Sequence, residues 1–198
     1  MLETHAAQGG FNLIEIMVSL TVLAILIALG APSFGEWLQN QQIRAATEAV
    51  VNGMQVARGE AIKRNLPVQL VLDDLPTTGW TVCEATKQPC NSTLLADPVK
   101  VQDVIQSRSS QERTSNANVQ LTPDGATAVT FSPLGSVLAT NSDGTSPLTQ
   151  VNVVNSHGNC IAAGGPMRCL RVVVTAGGSI RMCDPTPGIV APDTRVCP

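Results

Sequence analysis

Between Phe11 and Ala31 the chain reads FNLIEIMVSLTVLAILIALGA, interrupted in its apolar character only by Asn12, Glu15, Ser19 and Thr21. Coiled as an α-helix, a run of this length extends about 31 Å, one hydrocarbon thickness, and predicts a single membrane span. A secretory signal peptide is the competing reading. Against it, the ten residues before Phe11 contain no Lys or Arg, no A-x-A site closes the run, and the run outlasts an ordinary signal-peptide core. Glu15 is the anomaly, because a carboxylate within a bilayer costs about 3 kcal/mol even on the lenient insertion scale. It must reach the interface or meet a positive group.

Composition narrows the rest. Of 198 residues, 43% are apolar, 14% charged and 3% aromatic, with no Tyr and a net charge of −3. A solvated disordered chain, an aromatic nucleic-acid platform and a generally basic phosphate binder are all disfavoured. The two histidines are His5 and His157, too few for a His-based triad or a multi-His metal site. Most enzyme classes, a membrane-anchored periplasmic enzyme among them, lack the residues they need, and no cofactor is expected.

Pro32 follows the apolar run, where its missing N–H and ring predict a bend or a loosened turn, with Gly30 adding weakness. Beyond it Ile43, Ala46, Val50, Met54, Ala57 and Ala61 recur at steps of three and four, the pattern of an amphipathic helix with a slim apolar stripe. Asn65-Leu66-Pro67 ends that helix, since Pro disfavours helical backbone in the residue before it. Acids (Glu36, Glu48, Glu60) and bases (Arg44, Arg58, Lys63, Arg64) alternate on it, predicting a solvated or intersubunit face.

From Pro67 onward the pattern changes to short β-type runs separated by Gly, Pro, Asn and Asp: Val68 to Leu72, Trp80 to Cys83, Val99 to Ile105, Val119 to Thr122, Val129 to Phe131, Val151 to Val154, Leu170 to Thr175 and Ser179 to Met182. One long helix before a series of antiparallel strands predicts an α+β head with a Val/Leu/Ile core around Trp80 and Phe131. Ser107 to Asn118 and Asn141 to Pro147 read as loops.

All six cysteines lie in this head: Cys83, Cys90, Cys160, Cys169, Cys183 and Cys197. An even count outside the apolar run predicts disulfides in an oxidising space. Proximity favours Cys83 with Cys90, Cys160 with Cys169, and Cys183 with Cys197, the last stapling the tail beside the final strand. A metal site built from His157 and the later cysteines fits no common zinc spacing. A cysteine nucleophile would have only His157 as its base.

The run Gly10-Phe11-Asn12-Leu13-Ile14-Glu15-Ile16-Met17-Val18 closely resembles the class III signal of type IV pilins and type II secretion pseudopilins, with Asn12 where Thr is common and Glu3 in a leader usually basic. The resemblance implies cleavage by prepilin peptidase between Gly10 and Phe11 and N-methylation of Phe11. Glu15 would pair with the terminal amine of a neighbouring subunit, and Pro32 would mark a helix bend. AIKRNLPVQL after the helix, FSPLGSV from Phe131 and LRVVVTAGGSIRMCDP from Leu170 resemble the GspH/FimT/FimU branch of minor pilins and pseudopilins. The implied layout is a leader (1–10), a transmembrane and assembly helix (11–34), an amphipathic helix (35–66) and a periplasmic head (67–198). Implied partners are other pilin or pseudopilin subunits, prepilin peptidase, the inner-membrane assembly platform and membrane lipids. The implied role is a filament subunit, in priming or at the tip.

The alternative is a DNA-binding minor pilin for natural transformation. Some FimT members use a GRxR motif, and Gly178-Ser179-Ile180-Arg181 stands at its place with Ser for the first Arg. Arg168, Arg171, Arg181 and Arg195 are the candidate contacts. Against Asp184 and Asp193 they leave a net of only +2 from Asn155 to Pro198, too little to favour DNA over a solvated β surface.

Overall fold

The computed structural model describes residues 12–86, 90–97, 101–109 and 116–198. The leader with Gly10 and Phe11 lies outside them, as does the centre of the expected 107–118 loop. One long helix, α1 (Leu13–Arg64), precedes eight strands: β1 (Val68–Val71), β2 (Trp80–Glu84), β3 (Val104–Arg108), β4 (Ala117–Thr122), β5 (Ala128–Phe131), β6 (Gln150–Asn155), β7 (Leu170–Val174) and β8 (Ile180–Cys183). All eight expected strands are present. Their ends shift by a residue or two, except that β3 begins at Val104 rather than Val99 and runs to Arg108, into the segment read as loop. Both expected helices belong to α1, whose helical backbone includes Pro32. The chain divides into two compact units, Met1–Trp37 and Leu38–Pro198.

The strands form two antiparallel four-stranded sheets, ordered β3-β2-β1-β5 and β4-β6-β7-β8. In the first, Val68, Leu70, Trp80 and Val82 meet the helix stripe, while Cys83 on the opposite face packs with Cys90 and Leu94 under the loop that the Cys83–Cys90 disulfide closes. Because both faces are covered, β1 and β2 are buried almost continuously and lack period-two alternation. β6 in the second sheet has one covered face, and its burial alternates residue by residue.

Within the head, Ile43, Ala46, Val50, Met54, Ala57 and Ala61 are all fully buried. Small residues in this stripe let the sheet approach closely, and Gly53 is the extreme case. A Cβ there would sit 2.7 Å from Trp80 Cε2 and 2.9 Å from Leu70 Cδ1. The Trp80 indole lies across the helix backbone, and its Nε1 donates to the Ala49 carbonyl at 3.1 Å, satisfying the one polar atom of a buried ring.

The helix stops where the sequence ends its pattern. Asn65 takes left-handed backbone (φ 54°), and the Leu66 amide donates back to the Ala61 carbonyl at 3.3 Å. This is a Schellman closure with Asn in the place usually held by Gly, and Pro67 prevents any continuation. The two later family-like motifs also have a structural reason. The turns of FSPLGSV and TAGGSI meet each other: Gly135 and Gly178 both have positive φ (79° and 78°), and Val137 N donates to Ala176 O at 2.9 Å. Arg58 of α1 donates from Nε to the Gly135 carbonyl at 2.9 Å, tying helix and both turns at one point.

Candidate functional site

Two surfaces carry functional character, one on each unit. The first is the start of α1. Leu13–Gly30 has a mean hydropathy of 2.5 and none of it is buried by the rest of the chain, so it is long and apolar enough to cross a membrane. Its few polar groups are handled locally. Ser19 Oγ donates to the Glu15 carbonyl at 2.7 Å and Thr21 Oγ1 to the Val18 carbonyl at 2.8 Å, so neither hydroxyl needs water. Glu15 is exposed in the first turn, and its amide donates to Asn12 O at 3.0 Å. A carboxylate there lies beside the free N–H groups of the helix start, the end that favours negative charge. The apolar surface continues outward through Phe34 and Trp37, 62% and 54% exposed, whose ring centroids lie 5.7 Å apart.

The second surface is a cleft of about 550 Å³ in the head, between the turn of α1 at Asn40 to Arg44 and the ends of β7 and β8. Its lining combines apolar Ile161, Leu170 and Met182 with Arg168 and Arg195. Asp184 also lines it, with a side chain only 2% exposed and ion-paired to Arg168. One carboxylate oxygen, Oδ1, accepts from the Thr186 amide at 3.0 Å. The other, Oδ2, has no hydrogen-bond partner, and Arg168 Nε stands 3.9 Å away, beyond hydrogen-bonding range. A disulfide from Cys183 to Cys197 and a backbone bond from Asp184 N to Arg195 O (2.8 Å) hold the tail as one wall.

The four arginines read as candidate DNA contacts do not form one patch. Arg171 pairs across the sheet with Cys183 and Arg181 with Val173, so period two places both on the face opposite Leu170 and Met182. Arg171 Nε donates to Asn152 Oδ1 at 2.6 Å. Arg168 and Arg195 border the cleft instead, and Arg195 is committed to Asp193 through Nε–Oδ1 at 3.1 Å and Nη2–Oδ2 at 2.7 Å. That pairing holds the Asp193 carboxyl down at about 2, chiefly through the arginine hydrogen bond. The local charge is therefore divided between two faces and partly neutralised.

The cysteines are joined as Cys83–Cys90, Cys160–Cys169 and Cys183–Cys197. His157 is exposed in a turn, with Nδ1 2.9 Å from Ser156 Oγ and its amide donating to Asn155 Oδ1 at 2.7 Å. Among the described residues no group of His, Cys, Asp or Glu is arranged to hold a metal. The cleft leaves no mark in the amino-acid sequence, and nothing in Cys183-Asp184-Pro185 announces that the acid is buried.

A family model described as Type II transport protein GspH matches residues 46–178, more than half of the chain. The chain belongs to the GspH family. Its members are structural pilin and pseudopilin subunits rather than known enzymes. The matched span begins at the buried helix stripe and ends at Gly178, so it takes in the Arg58, Gly135 and Gly178 junction and leaves the Cys183–Cys197 tail outside. Among solved structures, the chain is similar to the type IV minor pilin FimU of Pseudomonas aeruginosa, at 16% identity over 74% of this chain and 91% of that one, with a TM-score of 0.46. It is also similar to GspH of E. coli, at 13% identity over 73% of this chain and 89% of that one, with a TM-score of 0.43. A search of curated proteins finds no match.

Proposed function

We propose that this GspH-family chain is a minor pilin or pseudopilin subunit. In this reading prepilin peptidase removes Met1 to Gly10 and the new amine of Phe11 is methylated. The processed helix then waits in the inner membrane with the disulfide-bonded head in the periplasm. Glu15 pairs with the Phe11 amine of a neighbouring subunit, and the assembly platform draws the chain into a type IV pilus or type II secretion pseudopilus, in priming or at the tip. One observation carries this reading: the uncovered apolar segment Leu13–Gly30 bears its lone carboxylate in its first turn, four residues after Phe11. In a membrane anchor alone that acid gains only the favourable end of the helix dipole. In an assembly helix it also gains a partner, because an incoming ammonium offsets the cost of placing a charge in a low dielectric.

The test is the mass of the protein recovered from cells with an active prepilin peptidase. The wild-type chain is expected without its first ten residues and with one added methyl group. Gly10→Val is expected to retain the leader. Recovery of an unprocessed wild-type chain refutes the proposal.

A further inference from the structure

The apolar surface of α1 outlasts the span proper. Glu15 and Glu36 bracket a run without any charged residue, Ile16 to Gly35. As a helix that run extends about 30 Å, one hydrocarbon thickness. With the run seated in a bilayer, Glu15 stands at one boundary and Phe34 at the other. Trp37 then lies about 5 Å beyond Phe34, in the headgroup layer.

The two rings are three residues apart, so they share one side of the helix, and their planes are inclined by 31°. Both are more than half exposed. The chain's other tryptophan shows the opposite use of such a ring: Trp80 is buried in the head, with its N–H satisfied by the Ala49 carbonyl. An indole left on the surface joins a broad apolar face to a hydrogen-bond donor, a combination that water and hydrocarbon each serve badly on their own. The boundary between them serves both parts, since acyl carbons meet the ring and headgroup oxygens meet the N–H. Phe34, wholly apolar, lies on the hydrocarbon side of Trp37, the order that such a boundary requires. Glu36 returns the first charge at the same level.

We infer that Phe34 and Trp37 form an interfacial anchor, seated at the lipid headgroup boundary on the head's side of the membrane, that fixes the depth of α1 in the bilayer. The inference rests on the reading of Leu13–Gly30 as a membrane span, and not on leader cleavage or on pairing by Glu15.

The test is depth-dependent fluorescence quenching of the full chain in vesicles of phosphatidylethanolamine and phosphatidylglycerol. Separate preparations carry a nitroxide on the headgroup, bromines near the top of the acyl chains, or bromines near their ends. Because the chain has two tryptophans, the difference between wild type and Trp37→Phe isolates the Trp37 emission. Leu26→Trp, made together with Trp37→Phe, supplies a mid-bilayer reference. Trp37 is expected to be quenched at least about twofold more by the two shallow quenchers than by the deep bromines, and the Leu26→Trp chain to show the reverse order. Flotation with the vesicles and resistance to carbonate extraction report the span separately. A chain that fails these loses the span and the anchor together. In a chain that passes them, the anchor alone is overturned by Trp37 emission that no lipid quencher reduces, as for a ring facing water or a neighbouring subunit, by equal quenching at all depths, or by strongest quenching from the deep bromines.

Discussion

Gly178 lies so close to Gly135 that a Cβ at residue 178 would stand 1.8 Å from the Gly135 carbonyl oxygen. The same oxygen accepts from Arg58 Nε at 2.9 Å, so the contact joins two turns and the helix. Gly178→Ala combines this collision with a φ of 78°, which side chains rarely adopt. The variant is expected to lose about 3 kcal/mol or more, read as a fall of the head's thermal midpoint by at least about 6 °C.

Trp80 depends on Gly53 and Ala49 in a similar way. Gly53→Ala would gain about 1 kcal/mol of helix propensity on an open helix, but here its methyl meets the indole at 2.7 Å. The expected net result is a loss of about 1–3 kcal/mol, opposite in sign to the propensity. Trp80→Phe removes the donor to Ala49 O and leaves a void beside Gly53, and a loss of about 2 kcal/mol is expected. Chemical denaturation of the head checks both.

These positions explain what could be read beforehand. The stripe from Ile43 to Ala61 was legible because burial on one side of a helix imposes its own period, and every predicted member is fully buried. β6 was legible for the matching reason in a sheet with one covered face. The division into two sheets was not, because strand order depends on contacts between distant segments such as β1 with β5, whose register pairs Val68 with Phe131. Arg58 read as one charge in an alternating series. Only the fold brings the Gly135 carbonyl to it across 77 residues. Asp184 was hidden for the same reason.

Acid reaches the Asp193 carboxyl of the tail late. Asp193 is held at about 2 by Arg195, and Asp143 is held below its ordinary value by hydrogen bonds from the Thr145 hydroxyl and amide. Folded-state values below the unfolded ones contribute stability that is complete above about pH 4 and is lost as pH falls through the folded values. Carboxyl resonances of the folded head are expected to place the Asp193 midpoint near 2. In Arg195→Ala that midpoint should rise toward the ordinary carboxylate range. An unchanged midpoint in the variant would remove Arg195 as the cause.

The Cys183–Cys197 bond closes a 14-residue separation at the wall of the head cleft. Closing a loop of this size removes denatured-state freedom equivalent to about 3 kcal/mol in the chain-entropy model. The double variant Cys183→Ser, Cys197→Ser is expected to lower the head's unfolding free energy by about that amount and to expose the tail from Pro185 to protease.

Glu15 gives the sharpest separation between anchoring and assembly. Glu15→Ala removes the one charge from the first turns of an otherwise apolar helix, so insertion into the membrane should be retained or improved. If the carboxylate meets a neighbour's amine, the same change leaves that ammonium without a partner in low dielectric, and incorporation into filaments should fall by about tenfold or more. Glu15→Gln keeps the shape and loses the charge, and it should share the defect. Immunoblots of membrane and sheared-filament fractions measure both quantities. Normal incorporation of either variant, at equal membrane levels, would show that Glu15 serves the helix start alone.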